Sequence, residues 1–229
     1  MGSVVARTVN EEDYAARREA ILREAHRLVC TKGYQQMTIQ DVLNGLGISK
    51  GAFYHYFDSK PALLEALVER MMTRWEQALT AAAGQGPALR RLQAFLAVFD
   101  QVKIEDKRFL ISVLPVMYSD DNAVVRQKSR AAGTARFVPL VDDIVRSGVA
   151  EGVFDTPYPD RIGLVVLTLI QDLTETAGLM VLQEAGAEAI SRTFAAYGDV
   201  LERALGAPAG SLRPMNDATL TGWLSTFDR

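Results

Sequence analysis

"TIQDVLNGLGISKGAFYHYFDSK", residues 38–60, holds two helix starts on either side of one tight turn. Thr38 followed three positions later by Asp41 is a capping box, in which the hydroxyl accepts a first-turn N–H and the carboxylate reaches back to the capping residue's own N–H. Ile39, Val42, Leu43 and Leu46 then recur at helical spacing, so that helix has one apolar face. Gly47 ends it, "GIS" makes the turn, and Ser49 is the next N-cap. Two helices joined by a turn this short, with a glycine in it, predict a helix-turn-helix.

The second of these helices divides its residues between two jobs. At about 100° per residue, Phe53, Tyr56 and Phe57 share an inward face, while Gly51 and His55 lie opposite with Ala52 and Tyr54 beside them. An outward face of this kind suits a major groove: polar tips can bond base edges, an aromatic can meet a thymine methyl or a phosphate, and a glycine allows close approach. Lys50 falls on the first turn and Lys60 at the start of the following helix, where free N–H groups attract phosphate. A lysine there opposes the helix dipole, so a contact with phosphate is the expected reason for it.

The rest of the chain reads as all-α. A first helix is predicted from about Glu12 to Thr31, closed by Gly33, with residues 1–12 as a flexible arm. A long helix follows residues 58–83, with Pro61 in its first turn, where a missing N–H is harmless. "GQGP", residues 84–87, is the clearest break. Beyond it, helices are predicted at about 88–103, 106–118, 122–147, 159–185 and 187–205, with a short one near 217–227 in the tail. Residues 1–70 are therefore expected to form a three-helix domain, joined by the long helix to a helical domain over 71–229.

Composition narrows the function. A net charge of −3 argues against indiscriminate polyanion binding, so any contact with nucleic acid has to be local. Residues 1–60 carry eight Lys and Arg against seven Asp and Glu, and the remainder 17 against 21. Cys30 is the single cysteine, read as a small buried hydrophobe, and His26 and His55 are too few for a zinc site. No metal and no cofactor are expected. The N-terminus lacks the apolar core of a signal peptide, and a cytoplasmic location is expected. "IGLVVLTLI", residues 162–170, is far short of the roughly 20 apolar residues a bilayer needs and is expected to be a buried helix.

Residues 37–67, "MTIQDVLNGLGISKGAFYHYFDSKPALLEAL", resemble the helix-turn-helix signature of the TetR family of bacterial transcriptional regulators. The likeness covers roughly residues 15–70, and it rests on a hydroxyl opening helix two, glycine in the turn, spaced aromatics in helix three and a lysine opening helix four. It departs at Leu43, where the family usually has alanine, and at Gly45, which costs about 1 kcal/mol relative to alanine inside a helix. The resemblance implies DNA contacts from Thr38, Gln40, Ser49, Lys50, Gly51, Tyr54, His55 and Lys60. It also implies a homodimer through the last two long helices, with Gly178, Ala185, Ala187, Ala195 and Ala196 allowing close approach. The expected function is then a ligand-responsive regulator, a repressor released from a palindromic DNA operator by a small-molecule effector.

In the second domain Trp75, Phe95, Phe99, Phe109, Leu114, Met117, Tyr118 and Phe137 recur at helical spacings, as core or as the lining of an effector site. Gln171, Asp172, Thr174 and Glu175 interrupt an apolar helix, and such groups face solvent, pair across an interface or meet a ligand. The expected effector set is Trp75, Phe99, Leu114, Met117, Tyr118, Phe137, Gln171, Asp172 and Glu175. Two rivals stand beside the regulator: a DNA-bound scaffold whose second domain binds a protein, and an enzyme using Asp172 and Glu175 as an acid–base pair. The enzyme lacks a nucleophile, metal cluster or phosphate loop, so a protein without catalytic activity is expected.

Overall fold

The computed structural model describes residues 2–213, with side chains from Glu11 onward except at positions 99, 100, 102–104, 121 and 125. The tail helix expected near 217–227 and the side chain of Phe99 lie outside the described residues. Within them the fold is all-α: α1 (Gly2–Lys32), α2 (Ile39–Leu46), α3 (Lys50–Tyr54), α4 (Lys60–Ala82), α5 (Ala88–Glu105), α6 (Lys107–Met117), α7 (Ala123–Ala150), α8 (Ile162–Leu182) and α9 (Ala187–Leu205). Helix α1 runs through the stretch expected to be an arm. Helix α3 is shorter than the pattern suggested, because His55 is already its C-cap.

The chain packs as two units. The first comprises Met1–Met71 together with Arg108–Asn122, so α6 groups with the helix-turn-helix although the sequence expectation leaves it in the second domain. Its core joins Ile21, Leu22, Ala25 and Val29 of α1 to Val42 and Leu43 of α2, Phe53 and Phe57, and Leu63, Leu64 and Leu67 of α4. Leu43 is buried, so the larger residue at this position fills space between helices. Gly45 has a reason as well. A β-carbon there would collide with Glu24 Oε1, so the missing side chain is the space into which the Glu24 carboxylate of α1 folds. That carboxylate is paired with Arg27, whose hydrogen bonds lower its pKa.

The second unit, Met72–Lys107 with residues from Ala123 onward, is built on α5, α7, α8 and α9. Buried residues recur at three- and four-residue steps on each: Leu92, Phe95 and Leu96; Phe137, Val141, Ile144 and Val145; Val166, Leu167, Ile170 and Leu173; Ile190, Phe194, Leu201 and Leu205. Helix α9 ends on Gly206, and the segment after it is held by one buried carboxylate. Glu202 accepts the N–H groups of Gly210 (2.8 Å) and Leu212 (2.7 Å), while Gln93 donates to the Ser211 carbonyl at 2.9 Å. Such pairing is what allows an acidic side chain to be buried.

Helix α8 corrects the expectation of a buried helix. By length and composition Ile162–Leu182 is apolar enough to cross a membrane, yet only 22% of its apolar stretch is buried. One side packs on α7 and α9, and Leu164, Val165, Leu179 and Leu182 are exposed on the other, with Val200 exposed on α9.

Candidate DNA interface and second-unit polar cluster

Three local devices set the geometry of the first unit's outward surface. Thr38 caps α2: its Oγ1 accepts the Asp41 N–H at 3.1 Å and donates to Asp41 Oδ2, which also accepts the Thr38 N–H, both at 2.8 Å. Lys32 closes the group by a 2.7 Å ion pair to Asp41. That bond, with those from Thr38, lowers the Asp41 pKa to about 2, so the carboxylate stays ionised and neutralised by a lysine. The Thr38 hydroxyl proton is already committed within the protein. Gly47 then stops α2 in the left-handed region, at φ 64°, where a side chain would be strained. Ser49 restarts the chain as the N-cap of α3, accepting the Ala52 N–H at 3.2 Å.

The aromatic run separates much as its spacing implies, with one change. Phe53 and Phe57 are buried, and Tyr54 and His55 are exposed. Tyr56, expected on the inward face, is half-buried instead, because the helix stops at Tyr54 and its ring turns onto Tyr14 of α1 at 4.7 Å between centroids. Gly51 is exposed and a β-carbon there would meet nothing within 4 Å. Nothing in the described fold requires glycine at that position. Gln40 is exposed and donates to Asn44 at 2.8 Å, which leaves its carbonyl as an acceptor.

The two lysines differ. Lys50 is exposed, with its ammonium 5.8 Å from the Tyr54 ring centroid. Lys60 corrects the argument that a lysine there gains nothing structurally: its Nζ donates to the Gln35 carbonyl at 3.2 Å and stands 4.5 Å from the centre of the Tyr34 ring. Burial lowers its pKa. Lys60→Ala is therefore expected to lower stability by about 0.5–1 kcal/mol, the range for a cation over an aromatic ring, and Lys50→Ala by less, since its ammonium stands farther from its ring and on the exposed surface. Urea unfolding reads that difference. If both also touch phosphate, each replacement flattens the slope of log K against log salt for duplex binding by about one unit; an unchanged slope would make Lys60 a purely structural residue.

Sequence reasoning missed four participants. Tyr14 packs on His55 and Tyr56, Arg18 lies over the Phe57 ring at 5.0 Å, and Lys32 pairs with the α2 cap. His26 lies one turn before Cys30, with ring nitrogens 3.8 and 3.9 Å from its Sγ, and stacks on Phe109 of α6 at 5.1 Å. The four-residue spacing was readable on α1; the half-buried cysteine is not the isolated hydrophobe expected.

The expected effector residues fall in both units. Leu114, Met117 and Tyr118, at the end of α6, belong to the first. In the second, Trp75 and Phe137 are buried, and the Trp75 indole donates to the buried Asp106 carboxylate at 2.9 Å, where Arg74 also pairs. Gln171 of α8 meets α7, its Nε2 donating to Thr134 Oγ1 at 3.2 Å and to the Arg130 carbonyl at 3.3 Å. A β-carbon on Gly133 would lie 3.4 Å from that Nε2 and from Met72 Cε, which places amide, thioether and the Phe137 ring around one point. Asp172 and Glu175 have different partners: Asp172 accepts from Tyr197 of α9, which raises the phenol's pKa, and Glu175 pairs with Arg130 of α7 at 3.2 Å.

Comparison with known proteins bears on both units. A family model described as "Bacterial regulatory proteins, tetR family" matches residues 21–67, and one described as "Tetracyclin repressor-like, C-terminal domain" matches residues 112–199. The chain is 38% identical over 72 residues to the HTH-type transcriptional regulator EthR of Mycolicibacterium smegmatis, covering 31% of this chain and 33% of that protein. It is 26% identical over 172 residues to the HTH-type transcriptional repressor KstR2 of the same species, covering 70% and 77%. The chain thus spans about a third of the length of the first relative and about three quarters of the second. Its fold resembles that of a TetR-family transcriptional regulator from Pectobacterium atrosepticum, with a TM-score of 0.65 and 17% identity over 86% of this chain and 98% of the other. With one such model over the capped α2–α3 turn and another across α7 to α9, the chain belongs to the tetR family of bacterial regulatory proteins.

Proposed function

We propose that this protein is a cytoplasmic repressor that binds a palindromic DNA operator as a homodimer and is released by a small-molecule effector. The observation that carries the reading is the surface of α3: Gly51, Tyr54 and His55 are exposed on a segment whose other side is fixed by the buried Phe53 and Phe57. Gly51 supports it, since its lack of a side chain answers no internal contact and suits the approach of an external backbone. In this reading Tyr54, His55 and Gln40 touch base edges, while Ser49, Lys50, Lys60 and the α2 terminus at Thr38 grip phosphate. Two copies, joined through α8 and α9, supply the second half-site that one short helix cannot.

The effector reading rests on the second unit. Gln171 and Thr134 form a neutral hydrogen-bonding pair beside buried Phe137 and half-buried Met72, the combination of apolar wall and few polar groups that suits a small apolar molecule bearing a carbonyl or hydroxyl. Binding there favours a conformation in which the two reading helices no longer match successive grooves. Helix α4, whose residues to Met71 belong to the first unit and from Met72 to the second, carries the change along the chain.

Selection of bound fragments from random duplex DNA by the full chain tests the proposal. Two inverted half-sites, with centres about 34 Å apart or a multiple of that, are expected. Recovery of no shared sequence would end the repressor reading.

A further inference from the structure

The outer end of α1 lies beyond the core of the first unit. Residues 11–17 are exposed, the core begins at Ile21, and the helix-turn-helix family model starts there too. Yet the helix continues outward, and Tyr14 on it meets two residues at the end of the reading segment. Its ring lies 5.6 Å from that of His55, edge to face at 80°, and 4.7 Å from that of Tyr56; His55 and Tyr56 are themselves edge to face at 5.0 Å. Three rings close a triangle between α1 and the chain just past α3.

We infer that Tyr14 is a positioning residue for DNA reading, fixing the direction of the His55 ring from outside the helix-turn-helix. Helix α3 is five residues long and His55 is already its C-cap, so helical packing alone does not hold the imidazole. Buried neighbours do not hold it either, since the residue is exposed. What restrains it is the pair of tyrosine rings, in the edge-to-face arrangement that aromatic quadrupoles favour. A base-reading side chain held before binding loses less rotamer entropy when it binds, and it discriminates better because its nitrogens point one way. Tyr14 achieves this without a base contact of its own.

The inference rests on the proposed reading role of His55, and the experiment separates the two. Affinity is measured for the full chain on the duplex selected with the unaltered protein and on a random duplex of equal length, and the ratio of the two is the readout. Tyr14→Ala is expected to lower the ratio about two- to tenfold, the worth of an aromatic contact, with the salt slope unchanged. Tyr14→Phe keeps the ring and should keep the ratio. Tyr14→Ala on top of His55→Ala should add almost nothing, because the residue it positions is gone. A ratio unmoved by Tyr14→Ala overturns the inference. So do additive effects, a failing phenylalanine variant or a flattened salt slope, each of which would give Tyr14 a contact of its own. If His55→Ala leaves the ratio intact, the reading role of His55 falls and the inference with it; if His55→Ala lowers it while Tyr14→Ala does not, only the positioning role falls.

Discussion

Leu179→Glu combined with Val200→Glu is expected to leave each protomer folded, convert the dimer to monomers and weaken binding to the selected duplex by about two to four orders of magnitude. Both side chains are exposed, 39% on α8 and 46% on α9, so the isolated fold loses little when they change. In a dimer closed through these helices, four carboxylates would have to be buried without partners, at a cost of several kcal/mol each. The drop in DNA affinity follows from losing the linked second half-site, which raises avidity by about 10²–10⁴ on its own. Light scattering during size exclusion reads the mass, circular dichroism the fold, and fluorescence anisotropy the affinity. A variant that stays dimeric would place the interface elsewhere.

The substituted side chains belong to the helices through which the proposed dimer closes. Leu164, Val165, Leu179 and Leu182 are exposed along α8 and Val200 on α9, with Ala187, Ala195 and Ala196 also exposed on α9 and Gly178 and Ala185 half-buried. Apolar side chains exposed along both helices are what the proposed dimer contact would cover. Asp172 is exposed on α8 and accepts a hydrogen bond from Tyr197 of α9, whose half-buried ring packs on Leu173, Ile190 and Phe194.

Tyr54→Ala with His55→Ala should spare the fold and the dimer but abolish most of the preference for the selected duplex over random sequence, by about 1–3 kcal/mol for each base edge no longer read. The exposure of both side chains predicts an unchanged melting temperature, apart from the small aromatic interactions with Phe53, Tyr14 and Tyr56. Nonspecific affinity and its salt dependence should persist, because these come from lysines and arginines rather than from base edges. A double variant that binds the selected site as well as the unaltered chain would move sequence reading to other residues, with Gln40 the first to examine.

How much of this was legible beforehand follows from the range of each interaction. The caps at Thr38 and Ser49, the stop at Gly47 and the burial of Phe53 and Phe57 involve partners within a few residues, and the spacing of the sequence carries them. Helix α9 began and ended where its pattern placed it, between a glycine at each end. Helix α3 did not reach Phe57, since amphipathic spacing says nothing about where a hydrogen-bonded turn gives out, and Tyr56 consequently left the inward face. The four-residue step from His26 to Cys30 was local and readable, but its stacking partner Phe109 was not.

The sequence by itself determined the all-α class, the capped helix-turn-helix and the split between holding and outward residues, because 3.6-residue periodicity and capping chemistry act over one or two turns. Only the tertiary structure decided what lies over Gly45, what Lys60 is tied to, that α6 packs with the first unit, and that Tyr14 packs against the His55 ring. Each of those depends on a helix or loop brought in from elsewhere in the chain, and no local pattern records which partner arrives.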